Sequence, residues 1–287
     1  MFRLFLPLMF IFAAVLAIGG VSTELERARV LYQGTDYSGV LQLLTPVTSK
    51  TAETFSLMGQ ARFMSGDHKK AAEAFEKAVA LEPRNSRYLN WLGKSYGRQA
   101  ESASILTAPG LAVKARQAFE KAVASDPNNK EALNDLFEYY IDAPGFLGGG
   151  LDRADQLVAQ IARIDEAEAH FATSQLAVKR KDFSSAEQQL HRAIELAPRQ
   201  VGRVLDLAKF LARRDRVSES DQVFVQAAKL APDSPQVLFD RAALYIKQKR
   251  QLDEAVALLE KYIRSPLTPD NVPREKALQL LKQAKGD

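Results

Sequence analysis

Most of this chain is one pattern written several times over, and that restricts its folds more than any other feature. Phe55, Met58, Gly59, Gly66, Ala71, Phe75, Ala78 and Pro83 form one instance. Ala186, Leu190, Ala193, Leu196 and Pro198 form another, and Leu207, Ala208, Phe224, Ala227 and Pro232 a third. Pro198 and Pro232 stand 34 residues apart. A period of that size marks an array in which each unit packs only on its neighbours. The 287 residues therefore need not divide into the two globular domains that length alone suggests.

A further instance reads Leu89-x2-Leu92-Gly93-x2-Tyr96, then Ala115-x3-Phe119-x2-Ala122, then Pro127. It resembles the tetratricopeptide repeat, whose marks are Trp-x2-Leu-Gly-x2-Tyr, Ala-x3-Phe and a closing Pro. Leu89 stands where the family has Trp, and Trp91 lies two residues too late to count. The resemblance implies an all-α fold, a right-handed solenoid of antiparallel helix pairs with a concave groove. Small residues at the eighth, twentieth and twenty-seventh places let backbones approach, larger apolar ones fill the gaps, and proline ends the second helix because it lacks an amide. About seven hairpins then cover 21–268: a degenerate one at 21–51, then 52–85, 86–129, 130–166, 167–200, 201–234 and 235–268. The remainder, 269–287, is expected to be a capping helix and tail, with Ala277, Leu278, Leu281 and Ala284 on its inner face.

The first twenty residues are of another kind. Leu4 to Ile18 carry no charge, follow Arg3 and precede Gly19 and Gly20. This is the layout of a secretory signal, with Ala17 and Gly19 suited to cleavage. An uncleaved anchor is the alternative, at a length near the lower limit of about 17 residues for a span. Either way Arg3 lies before the apolar run, and Glu24 and Glu26 after it, so the body is expected outside the cytoplasm. It would be periplasmic, or anchored in the inner membrane facing the periplasm.

Composition argues against several chemistries. With 46% hydrophobic and 26% charged residues the chain is an ordinary globular one. The formal charge of +4 is interleaved rather than gathered, which gives nucleic acid no footprint. There are no cysteines for disulfides, zinc thiolates or a thiol nucleophile. No two of the three histidines, His68, His170 and His191, have metal-pair spacing, and Gly145 to Gly150 are followed by Leu151 and Asp152 rather than the Lys-Ser/Thr of a phosphate loop. No enzyme, cofactor or metal site is expected.

Two units are too long. Tyr96 predicts a small residue at 105, yet the matching Ala is Ala115; Tyr140 predicts one at 149, yet Ala154 opens the next helix. Both insertions fall at the turn inside a hairpin, and insertions in repeats often map to a binding face. Pro109, Gly110, Pro144 and Phe146 are the candidates for such a ledge, against the plainer reading of two long turns that pack together.

The resemblance also places the groove on the first helix of each unit. In units three and four it holds opposite charges at matching places, Arg87 with Glu131, Lys94 with Glu138 and Arg98 with Asp142, which are expected to neutralise one another. The later units supply Phe171, Leu205 and Phe239 as apolar anchors, with Lys179, Lys209, Arg213 and Lys247 favouring an acidic segment. Ser56, Gln60, Trp91, Glu131 and Asp135 stand where some relatives carry a clamp for chaperone tails, so that partner is not implied. The expected protein is a non-catalytic binding or assembly scaffold of a bacterial envelope, whose partner is a protein or peptide. The alternative is an accessory or regulatory subunit of an envelope enzyme. The sequence leaves the oligomeric state open.

Overall fold

The structure is a computed structural model and describes residues 23–286. The signal or anchor expected over 1–20 lies outside the described residues. Among those described, every regular element is a helix and none is long and apolar enough to cross a membrane.

The helices pair in chain order. They are α1 (23–33) with α2 (Tyr37–Leu44), α3 (Ala52–Met64) with α4 (His68–Leu81), and α5 (Ser86–Ser102) with α6 (Ala108–Ser125). Then come α7 (Lys130–Asp142) with α8 (Leu151–Ala162), α9 (Glu166–Lys179) with α10 (Phe183–Leu196), α11 (Val201–Arg213) with α12 (Val217–Leu230), and α13 (Pro235–Lys247) with α14 (Leu252–Arg264). A last helix, α15 (Arg274–Lys285), packs on α13 and α14. The chain divides into two compact units, one reaching to Ala132 and one from Leu133 onward.

Local chemistry starts and stops these helices. Thr51, Asp67, Asn85, Asp165 and Asp182 each accept a backbone N–H with the side chain at a helix N-terminus. Among the described residues, six hairpins include a left-handed residue in the turn between the paired helices: Thr35, Gly66, Gly148, Lys181, Asp215 and Lys249. Only Gly66 and Gly148 take that conformation without a steric cost.

Packing within a hairpin follows from the small residues. A Cβ on Gly59 would lie 2.8 Å from the Phe75 ring, and one on Gly93 2.5 Å from the Phe119 ring. Glycine at these places therefore lets the aromatic ring of the second helix rest against the backbone of the first. Ala71, Ala78, Ala115, Ala122, Ala186, Ala193 and Ala227 are fully buried.

In the second unit one core runs through Ala177, Leu190, Leu205, Leu207, Phe210 and Phe224, and another gathers Tyr245, Leu259, Tyr262 and Ala277. The capping helix corrects one expectation. Leu278 is exposed, and Leu280 joins Ala277, Leu281 and Ala284 on the packed face. A residue next to Ala277 is turned by about 100° from it at 3.6 residues per turn, so it cannot share its stripe.

Candidate binding groove

In the second unit a groove of about 470 Å³ runs over the C-terminal end of α7, α9 and α11. Its floor is apolar: Ile141, Phe171, Val178, Leu190 and Phe210. Helical periodicity builds it, since Phe171, Gln175 and Val178 form one stripe of α9 and Asp206, Phe210 and Arg213 one stripe of α11. The guanidinium of Arg203 sits over the Phe171 ring, 4.8 Å from its centre, and holds that ring in place.

A ladder of alternating charge borders the floor. Glu168 of α9 bonds Arg203 of α11, Arg203 reaches Asp206 at 3.4 Å, and Lys209 lies 3.7 Å from Asp206 and 3.2 Å from Asp240 of α13. Glu168 and Arg203 are nearly buried, so this ladder fixes the first helices of three hairpins to one another. Asp206 carries the electrostatic consequence. Burial raises its pKa to about 6; Lys209 and Arg203 pull it down, while Glu168 and Asp240 push it up.

Of the cations expected in the groove, Lys179 pairs with Asp142 at 2.7 Å and Lys209 is held in the ladder. Arg213 lines the groove, is exposed, and has no ion-pair or hydrogen-bond partner among the described residues. The positive field is therefore concentrated at one guanidinium rather than spread over four side chains.

The structure redistributes the other expected residues. Leu205, read as an apolar anchor, is fully buried in the core between α11 and its neighbours and cannot meet a partner. Phe239 packs 5.2 Å from Tyr262, and neither it nor the exposed Lys247 lines the groove. Pro109 and Gly110 do not belong to a turn, because they lie in the first turn of α6, where a missing amide costs nothing. Pro144 precedes a single 3-10 turn, Gly145–Leu147, on which Phe146 is 82% exposed.

The charge pairing expected between units three and four is also altered. Lys94 pairs with Glu131 at 2.5 Å, Arg98 with Glu101 of its own helix at 2.9 Å, and Asp142 with Lys179. Matching places lie side by side in a sequence alignment, whereas long side chains reach along a row to the nearest opposite charge. Val178 and Phe210 were missed by the sequence reading. Their signal was the same stripe that carries Phe171, Asp206 and Arg213. His170 contacts the Gln189 side chain at 2.5 Å, and His68 rests on Phe63, with burial lowering its pKa.

The first unit has its own groove of about 630 Å³, with Tyr32, Leu57, Tyr88 and Trp91 on its walls. There Arg29 pairs with Glu53, and Trp91 is stacked on Phe75 with its edge against Phe63. That ring is already occupied by its own core.

Residues 52–85, which are α3 and α4 with their turns, match the family model of the tetratricopeptide repeat. This stretch carries a tetratricopeptide repeat. No curated protein matches the sequence. Among solved structures the chain is similar to a tetratricopeptide repeat protein from Parabacteroides merdae, with 15% identity, 93% of this chain and 99% of that one covered, and a TM-score of 0.59. It is similar also to a thermophilic TPR protein of Thermus thermophilus (19% identity, 66% and 98% covered, TM-score 0.54). Yeast Tom70 is a third, at 19% identity, 87% and 50% covered, and a TM-score of 0.56. At these identities the likeness shows the fold alone, an array of helix hairpins.

Proposed function

We propose that this protein is a non-catalytic scaffold of the bacterial cell envelope, and that it binds an acidic, partly apolar segment of another protein in the groove of its second unit. One observation carries the reading: the partly exposed apolar side chains Ile141, Phe171 and Val178 line a groove beside a single unengaged guanidinium, Arg213. Apolar side chains of a partner would supply most of the affinity on Ile141, Phe171 and Val178, and a carboxylate meeting Arg213 would set orientation. The envelope location rests on the uncharged run Leu4 to Ile18.

A fluorescent peptide rich in Leu and Glu tests the groove, with a Lys-for-Glu copy as control. Binding should fall with Arg213→Glu and with Phe171→Ala, and less with Lys209→Glu, because Lys209 already serves Asp206 and Asp240. Below pH about 6 Asp206 takes up a proton, which removes one negative charge from the groove wall, so the Glu peptide should bind more tightly in acid. Asp206→Asn should remove that pH dependence. Equal binding of the Lys copy, with no effect of Arg213→Glu, would overturn the reading. Recovery of the chain in the cytosol with Met1 in place would overturn the envelope assignment.

A further inference from the structure

The turn that follows α7 presents an aromatic ring to solvent and is built to keep it there. Tyr139 Oη donates to the Leu147 carbonyl at 2.9 Å, the Gly150 amide to the Tyr140 carbonyl at 2.8 Å, and Arg153 Nη1 to the Gly148 carbonyl at 3.0 Å. Gly149 is seated so closely that a Cβ would lie 1.8 Å from the Ala143 carbonyl oxygen. With the turn held at these points Phe146 stands 82% exposed, and no charge occurs from Ala143 to Leu151.

The same unit places the apolar groove directly beside this turn, since Ile141 and Asp142 line it. Each copy thus carries an aromatic side chain without a pocket and a pocket without an aromatic guest. The charges match in the same way. Asp152, exposed in the first turn of α8, has no partner among the described residues, and neither has Arg213, whereas Asp142, Lys179, Asp206 and Lys209 are all paired.

We propose that two copies of this chain associate about a two-fold axis, the Phe146 turn of each entering the groove of the other, with Asp152 of one copy meeting Arg213 of its mate. A two-fold makes every contact twice, so a small patch with one ring and one ion pair becomes two rings and two ion pairs. A rigid turn loses little freedom on docking, and an interface of this small size gives a weak dimer in rapid exchange. The dimer would fill the groove assigned above to a partner. The proposal nevertheless stands apart from that assignment, since it is measured with no partner present.

Because the chain has no cysteine, single cysteines can trap this arrangement without background. Full-length Gly145→Cys is mixed with full-length Gln175→Cys under mild oxidation; nothing lies within 4 Å of a Cβ on Gly145, and Gln175 lines the groove. Disulfide-linked heterodimer should exceed that from a Gly145→Cys and Val225→Cys pair by about tenfold, as aligned and unaligned pairs differ in geometry. Phe146→Ser in both copies should remove the excess. Asp152→Lys in both copies, or Arg213→Glu in both, should lower it about tenfold, while Asp152→Lys in one copy mixed with Arg213→Glu in the other should restore it. A yield no greater than the Val225 control, or one indifferent to Phe146→Ser, overturns the dimer. Failure of the mixed charge reversal to restore trapping overturns the two-fold arrangement.

Discussion

Two hairpins of this protein carry insertions at the same place, and they absorb them in opposite ways. In the α5 and α6 hairpin the extra residues lengthen both helices, to 17 and 18 residues against 13 and 14 for α3 and α4, and leave only 103–107 as connection. In the α7 and α8 hairpin the helices keep 13 and 12 residues, and the insertion becomes the pinned turn around Phe146. The cause is composition rather than length. Arg98, Gln99, Ala100 and Glu101 favour helix, and Pro109 is accepted at the start of one, whereas Pro144 with Gly145, Gly148, Gly149 and Gly150 cannot sustain a helix. Ile105 and Leu106 consequently sit bare on a short loop, 91% and 93% exposed, while Phe146 is displayed by a specific set of bonds.

This contrast can be broken by exchanging glycine for alanine in each insertion. Gly149→Ala should cost roughly 2–3 kcal/mol, because its Cβ would meet backbone that can yield only by dismantling the turn. Urea unfolding followed by circular dichroism would show it, and an unchanged midpoint would mean that the turn is not held as described. Tyr139→Phe comes next, at about 1 kcal/mol, since it leaves the ring and removes the bond to Leu147. Gly110→Ala should act with the opposite sign, stabilising by about 0.5 kcal/mol, as a helical glycine with open space around it. Smallest of all, Ile105→Ser with Leu106→Ser should shift stability by no more than about 0.5 kcal/mol, since neither side chain is buried. A larger loss would show that this tip packs on something in solution.

The hairpins were legible because their marks are consequences of close packing. Gly59 and Gly93 can be nothing larger beneath Phe75 and Phe119, so the spacing survives in the sequence. The groove was less so. Phe171 and Leu205 occupy the same place in successive repeats, yet one is only partly buried under Arg203 and the other fully buried in the core. Place within a repeat tells which helix a residue belongs to, and the neighbouring repeat decides its depth. Pairing was lost for the same reason: Lys179 and Lys209 read as free cations until Asp142 and Asp240 are seen to lie within reach.

The ladder from Glu168 to Asp240 bears on how freely such a chain can be shuffled. Repeats are commonly regarded as interchangeable bricks, added or dropped by duplication and deletion. Here the two cations, Arg203 and Lys209, both belong to α11, while carboxylates flank them on α9 and α13. Excising the stretch 201–234 would bring Glu168 and Asp240 together with no positive charge between them, and doubling it would strand a second Arg and Lys. The order of hairpins in this half of the protein is therefore part of its electrostatics, so a viable shuffled relative would have to alter its charges along with its length.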